Sequence, residues 1–424
     1  MKIENNNTAL QQEWLLKGEE YAKGINDMVA FGKEHGWENW KGEEPEDKRD
    51  HLGQAVLELL KQANAEGNVE EFRAAFPPAY PPLIPFLEEK SQYIGDLVAI
   101  EANSVAFLAG TSYETRTAYL LSGTTVHVLD DTIKGLGKSM RNGVFAIAYA
   151  DTIVTYQGWN GPEIATFQLG ELANLGISKL IPFNDGTRIL FVTSEGVYLL
   201  EEQKQQLIHP ILSEEEQKEA EEEGYDFYID MENATLSHDN TYIVVGDQDR
   251  DHRILHIDGK EVGSVGPQSS YPHFCLFSKD DQQLITNSCH FYNGVTIGVD
   301  ATKLEGMEVE AYEESDDFMY MDEGMRVYQG VAIKDYYVLG DAYGYIRFIN
   351  KAGEDIGQFF LGGTISGMAV SEDETVLWVG TYSGALHKLE LDKAIRDTHT
   401  IGTRPLYEQF RLLVWKDEPQ VWRW

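Results

Sequence analysis

The sequence predicts a mainly β chain, with seven four-stranded blades closed into a ring behind an α-helical N-terminal extension. Three observations predict it. Apolar residues recur at helical spacing over residues 1–90, and from Tyr93 onward the period changes to short strands separated by turns. Turn signals then recur at Asn103, Asp151, Asp185, Asp239, Asp280, Asp335 and Asp373, at intervals of 34 to 55 residues with a mean of 45. Several units also share one residue-level frame. Four strands in a unit of that length make one blade of a β-propeller, so the chain divides into an extension over 1–90 and a propeller over 91–424.

In the extension, Leu10, Trp14, Tyr21, Ile25 and Met28 mark a helix from Thr8 to His35. Asp50 is a good N-cap for a second helix reaching Ala65, with Leu52, Val56, Leu59, Leu60 and Ala63 on one stripe. Asn68 and Glu71 have the spacing of a capping box, opening a third helix through Phe76 that the Pro77–Pro82 run stops. Each helix has one apolar face and needs a surface to pack on, either the rest of the chain or a partner.

The clearest blade runs from Gly363 to Asp392. Ile365–Val370 and Val376–Thr381 are strands, the Ser371-Glu-Asp373-Glu turn joins them, and Tyr382-Ser-Gly384 makes a hairpin into Ala385–Leu391. Ser237-His-Asp239-Asn-Thr-Tyr-Ile-Val-Val-Gly246 matches Ser371-Glu-Asp373-Glu-Thr-Val-Leu-Trp-Val-Gly380, and Ser278-Lys-Asp280 follows the same frame. Asn184-Asp185-Gly186 opens a fourth unit without the serine. This frame resembles the WD40/YVTN-like β-propeller superfamily over roughly residues 93–400, without the Trp-Asp dipeptide of the strict WD40 family. The resemblance implies the fold and no particular activity. The apolar segment 406–424 is expected to close the ring or to cover the N-terminal helices.

Two acidic insertions interrupt the repeats, at 213–224 and 305–324. The first holds Glu214, Glu215, Glu216, Glu221, Glu222 and Glu223; the second holds Glu313, Glu314, Asp316 and Asp317 among methionines. Such runs are solvated loops or docking sites for a basic partner. The whole chain has 34 basic and 71 acidic residues, a formal charge of −37. That sign disfavours nucleic-acid backbones and anionic membranes and would steer in a basic protein.

Chemistry is sparse. Asp247, Asp249, Asp251 and Asp258 have the oxygen spacing of a calcium loop, but His252 occupies the position where the sharp turn wants glycine. His252 and His256 lie too far apart on a strand to share zinc. Cys275 and Cys289 are the two cysteines; residue 275 is expected to face 286, which argues against a disulfide. There is no Gly-x-Ser-x-Gly elbow and no phosphate loop, so no catalytic residue and no cofactor is assigned. Cysteine scarcity and the absence of a leader or spanning segment point to the cytoplasm. The expected function is a cytoplasmic protein-interaction module of unknown oligomeric state, with an enzyme or small-ligand binder using the central channel as the alternative.

Overall fold

A computed structural model describes residues 5–212, 228–291 and 293–424, together with Lys218. Four α-helices come first: α1 (Asn5–His35), α2 (Gly53–Glu66), α3 (Val69–Ala75) and α4 (Ile84–Lys90). Asp50 lies in a short 3₁₀ turn, Asp50–Leu52, and α2 starts at Gly53 with Leu52 at its N-cap, two residues later than the N-cap reading placed it. Gly53 sits against the Pro82 carbonyl, where a side chain would collide, and this packing sets the entry. Asn68 stands at the N-cap of α3 but makes no capping bond; its amide donates to Glu66 Oε2 at 3.1 Å instead. Gly67, at φ 76°, ends α2 in the left-handed conformation that glycine adopts without strain.

The strands form seven sheets in chain order. Blade 1 is β1 to β4 (Ile94–Glu101, Ser104–Ala109, Thr117–Ser122, Thr125–Val128) and blade 2 is β5 to β8 (Gly135–Lys138, Val144–Ala148, Thr152–Gln157, Glu163–Gln168). Blade 3 is β9 to β12 (Ile177–Pro182, Arg188–Thr193, Gly196–Glu201, Lys204–His209). Blade 4 is β13 to β16 (Asn233–Leu236, Tyr242–Asp247, Arg250–His256, Glu261–Val265), and blade 5 begins with β17 to β19 (Tyr271–Phe277, Gln283–His290, Asn293–Asp300). Then β20 (Glu308–Val309) returns to blade 4 as a parallel fifth strand, and β21 (Phe318–Asp322) completes blade 5. Blade 6 is β22 to β25 (Val327–Ile333, Tyr336–Asp341, Tyr345–Asn350, Asp355–Phe360). Blade 7 is β26 to β30 (Ile365–Val370, Val376–Thr381, Ala385–Glu390, Tyr407–Leu413, Trp422–Arg423).

The chain is thus a seven-bladed β-propeller preceded by helices. Seven apolar clusters fill the seven gaps between neighbouring blades, from Val98, Leu108 and Phe145 between blades 1 and 2 to Ile94, Phe107 and Trp378 between blades 7 and 1. Burying such clusters supplies most of the ring's stability, at about 25 cal/mol per Å² of apolar surface.

A serine defines the turn between the first two strands of four blades. The amide five residues on donates to its hydroxyl: Tyr242 to Ser237 at 2.9 Å, Gln283 to Ser278 at 2.9 Å, Val376 to Ser371 at 3.0 Å, and Val144 to Ser139 at 3.0 Å. Ser139 corrects the sequence frame. Asp151 lies between β6 and β7, the second hairpin of its blade, whereas the other six anchors lie in first hairpins. The position two after Ser139 is Arg141, not aspartate, so the turn did not carry the expected signal.

The helices dock on the last blades, and the C-terminal segment completes blade 7 and covers the helices, without a strand that joins blade 7 to blade 1 among the described residues. β29 and β30 extend blade 7, while Trp424 packs on Trp14 and Phe72 with ring centroids 6.1 and 5.9 Å apart. Trp424 Nε1 donates to Phe76 O at 2.8 Å, and Trp14 Nε1 to Pro77 O at 3.0 Å. Asn64 and Arg423 exchange two bonds of 2.9 Å, and Asn26 joins α1 to Thr400 and Gly402.

Candidate functional site

The acidic insertions fare differently. Glu214, Glu215, Glu216, Glu221, Glu222 and Glu223 lie outside the described residues. The second insertion is largely built into the ring. Met307 and Val309 are buried in the gap between blades 4 and 5, Met321 in that between blades 5 and 6, and β21 is the outermost strand of blade 5. The exposed remainder is the loop 310–317 with its flanks. Glu308, Glu310, Glu313, Glu314 and Asp316 are exposed and in no ion pair among the described residues; Asp317 meets Lys303 at 3.5 Å. Tyr312 and Tyr320 stand beside them, 67% and 46% exposed.

The four aspartates of the calcium-like stretch do not converge. Asp247 and Asp249 sit at the hairpin joining β14 to β15, Asp251 lies on β15, and Asp258 turns the chain beyond the far end of that strand. Seven residues of β15 span roughly 20 Å. Both Asp247 oxygens are occupied: His209 Nε2 lies at 2.8 Å and Arg250 at 3.3 Å from one, and the Asp249 amide donates to the other at 2.8 Å. Burial raises the Asp247 carboxyl, but the bond from His209 and the Arg250 charge hold it below the usual range. Among the described residues no three metal-ligating side chains gather. Cys275 pairs across the sheet with Thr286, as the turn spacing predicts, and both thiols are buried and free.

The central channel is where the blades bring chemistry together. The first strand of every blade lines it, because each sheet radiates outward from its first strand. The upper cavity, about 440 Å³, is walled by Lys138, Lys179, Asp96, Cys275, Gln329 and Ser366 among others. A lower cavity of about 320 Å³ shares Tyr93, Ser178, Lys179, Phe274, Cys275 and Gln329 with it and opens past Arg116, Glu232, His273, Tyr328 and Tyr382. Those shared residues form the waist.

Burial shifts the ionisable groups here. Asp96 is pushed up to about 6 by burial, with the neighbouring Arg116, 3.2 Å away, opposing. Burial lowers Lys179 against the opposing pull of Asp96, and it lowers Lys138 likewise. Cys275 is pushed up to about 12 by burial, so it stands as a thiol. Glu232 is raised by burial although it accepts from Ser178. Sequence reading named Cys275 but none of the lysines. Lys138 and Lys179 lie in separate strands 41 residues apart, and only ring closure brings their blades to one cavity.

No family model matches the sequence, and no curated protein matches it. Among solved structures, the chain is similar to the β-propeller domain of Myceliophteria thermophila Cps50 (Swd1), at 9% identity and TM-score 0.46 over 68% of this chain and 95% of that one. It is also similar to Kuenenia stuttgartiensis hydrazine synthase, at 11% identity and TM-score 0.43 over 62% and 77%. A third is the computationally designed Ika8 protein, at 13% identity and TM-score 0.42 over 71% and 97%.

Proposed function

We propose that this protein is an intracellular interaction module that docks a basic protein segment on the acidic edge shared by blades 4 and 5. The observation that carries the reading is the run of exposed carboxylates at Glu308, Glu310, Glu313, Glu314 and Asp316, in no ion pair among the described residues and set beside Tyr312 and Tyr320. Carboxylates without counter-charges raise the local negative potential, and neighbouring aromatics supply contact area of the kind that anchors interfaces. The chain's excess of acidic over basic residues extends the same field. Two buried, unpaired cysteines suit a reducing cytoplasm. No helix among the described residues is long and apolar enough to cross a membrane.

The test compares the wild type with a variant carrying Glu313→Gln, Glu314→Gln, Asp316→Asn and Asp317→Asn. Partners crosslinked by the wild type are identified, and the affinity of each is measured over a salt series. A true partner is basic, binds more weakly as salt rises, and is lost by the variant. Partners that bind both proteins equally at all salt concentrations would sink the reading.

A further inference from the structure

The channel concentrates cations in a protein that is short of them. Lys138, Arg141, Lys179 and Lys279 line the upper cavity against Asp96 and Glu372, a two-to-one excess of basic groups, whereas the chain has 34 basic and 71 acidic residues. Part of that charge is already matched. Arg141 pairs with Asp281 at 3.2 Å, Lys279 with Glu374 at 3.5 Å, and Asp96 with Arg116 at 3.2 Å. Lys138 and Lys179 are matched less closely: the Lys138 ammonium lies over the Phe145 ring at 5.3 Å, and Glu372 and Asp96 attract Lys138 and Lys179 respectively from beyond ion-pair distance. Each ammonium donates to one backbone carbonyl, Lys138 to Ala99 at 2.8 Å and Lys179 to Ala234 at 3.2 Å, and neither forms an ion pair among the described residues. An ammonium has three donors, so each of these keeps capacity for a ligand. Below them the buried Nε of Arg116, on the wall of the lower cavity, has no hydrogen-bond partner among the described residues.

The rest of the wall is mixed: Leu97, Leu136, Met140, Leu180, Phe274 and Met368 supply apolar surface, and Ser178, Thr235, Gln329 and Ser366 supply polar groups. A volume of about 440 Å³ falls within the range of roughly 300–1,000 Å³ typical of small-molecule sites. We propose that the channel binds a small organic anion, its apolar body against Phe274, Leu180 and Met368 and its carboxylate or phosphate group seated on Lys179, with Lys138 supplying a second positive charge. Burial already disfavours the charged form of both lysines, and an anion delivered to them relieves that penalty. The low-dielectric walls strengthen the attraction beyond its value in water. This site is separate from the acidic edge, and either can fail without the other.

The probe is anilinonaphthalene sulfonate, a fluorescent anion with an apolar body, compared with neutral N-phenylnaphthylamine. The sulfonate is expected to bind the wild type more tightly than the neutral dye. Lys179→Met and Lys138→Met should each weaken it about tenfold or more, the scale of one charge-assisted bond, while Lys179→Arg retains most of the affinity. Circular dichroism checks that each variant folds. Displacement of the dye by phenylacetate assigns a carboxylate ligand, and displacement by phenyl phosphate assigns a phosphate. Failure of both to displace it overturns the proposal, as does unchanged sulfonate binding in the methionine variants. Equal affinity of the wild type for the two dyes overturns it without any variant, so misfolding of one variant leaves the proposal open to refutation.

Discussion

The hydroxyl of Ser366 donates to the carbonyl oxygen of Ile94 at 2.8 Å, and through this buried contact the seventh blade meets the first. Among the described residues no strand crosses that seam, because every blade is made from strands close together in sequence. Gly367 and Gly380 let the two backbones approach so closely that a Cβ at either position would run into Ile94 or its neighbours. The ring therefore closes by packing, and the helical cap clamps blade 7 from outside.

The cap should consequently be a major source of stability. Trp14 is fully buried between Phe76 and Trp424, with Arg49 over its face at 4.6 Å. Trp14→Ala is expected to cost about 3–5 kcal/mol, as truncation of a large buried aromatic does. Urea denaturation measures it; a loss under about 1 kcal/mol would show that the helices rest on the ring without supporting it.

A buried ionic network ties α3 to blade 7. Glu408 accepts from His387 at 2.6 Å, from Arg411 at 2.8 and 3.0 Å, and from Arg73 at 3.1 Å. Burial raises its carboxyl, yet Arg411 and its other donors hold it well below the usual range. Glu408→Gln leaves two guanidinium groups without their countercharge, and the expected cost is about 3–5 kcal/mol. Equilibrium unfolding of this variant beside Arg73→Met separates the two contributions, and a neutral effect of Glu408→Gln would refute the assignment.

The serine turns give a graded series. Ser371 is buried and bonds both the Val376 amide and Asp373, whereas Asp373 is exposed and acts on its own turn. Ser371→Ala is expected to destabilise by about 1–3 kcal/mol because it strands a buried amide, and Asp373→Ala by less. Ser139→Ala in blade 2 should resemble Ser371→Ala. Thermal melts of the three variants decide the order.

Acid should weaken the fold before carboxylates protonate in bulk. Burial, reinforced by the charge of His209, holds His252 down to about 3; burial and the Arg326 charge hold His273 down to about 4. Both titrate near 6.5 when unfolded. The unfolded chain thus takes up protons that the folded chain refuses, and stability falls as pH drops from 6.5 toward 4. Asp96 opposes this: its raised value near 6 makes the folded state bind a proton in the same window, so its contribution grows as pH falls and is lost as pH rises through 6. His209, His387 and His399, also lowered by burial, add to the loss, while Glu232, Asp251 and Asp341, raised by burial, act with Asp96; the histidines are expected to dominate. The melting temperature should decline across the window and decline less in His252→Asn; parallel profiles would reject the cause.

Much of the architecture was legible because it is local. Ile365–Val370 and Val376–Thr381 match β26 and β27 residue for residue, since the alternation and the Ser-x-Asp turn are contained in the stretch itself. The pairing of Cys275 with Thr286 followed from counting outward from one turn. What was missed depends on contacts outside the stretch. Residues 305–324 read as an acidic insertion, yet Met307 and Met321 anchor two interblade gaps, and the methionines were the signal that part of it is wall. Lys138 and Lys179 carry no local motif at all; their significance arises from sharing a cavity and from standing in no ion pair among the described residues, neither of which a linear pattern encodes.

The pairing of Trp14 with Trp424 also imposes an order in time. During synthesis the helices emerge first, but the residue that covers them is made 410 positions later. Until then the apolar stripes of α1, α2 and α3 lack their cover and are open to chaperones and proteases. A chain cut short within blade 7 lacks Trp424 and leaves the Trp14 face of the first helix bare.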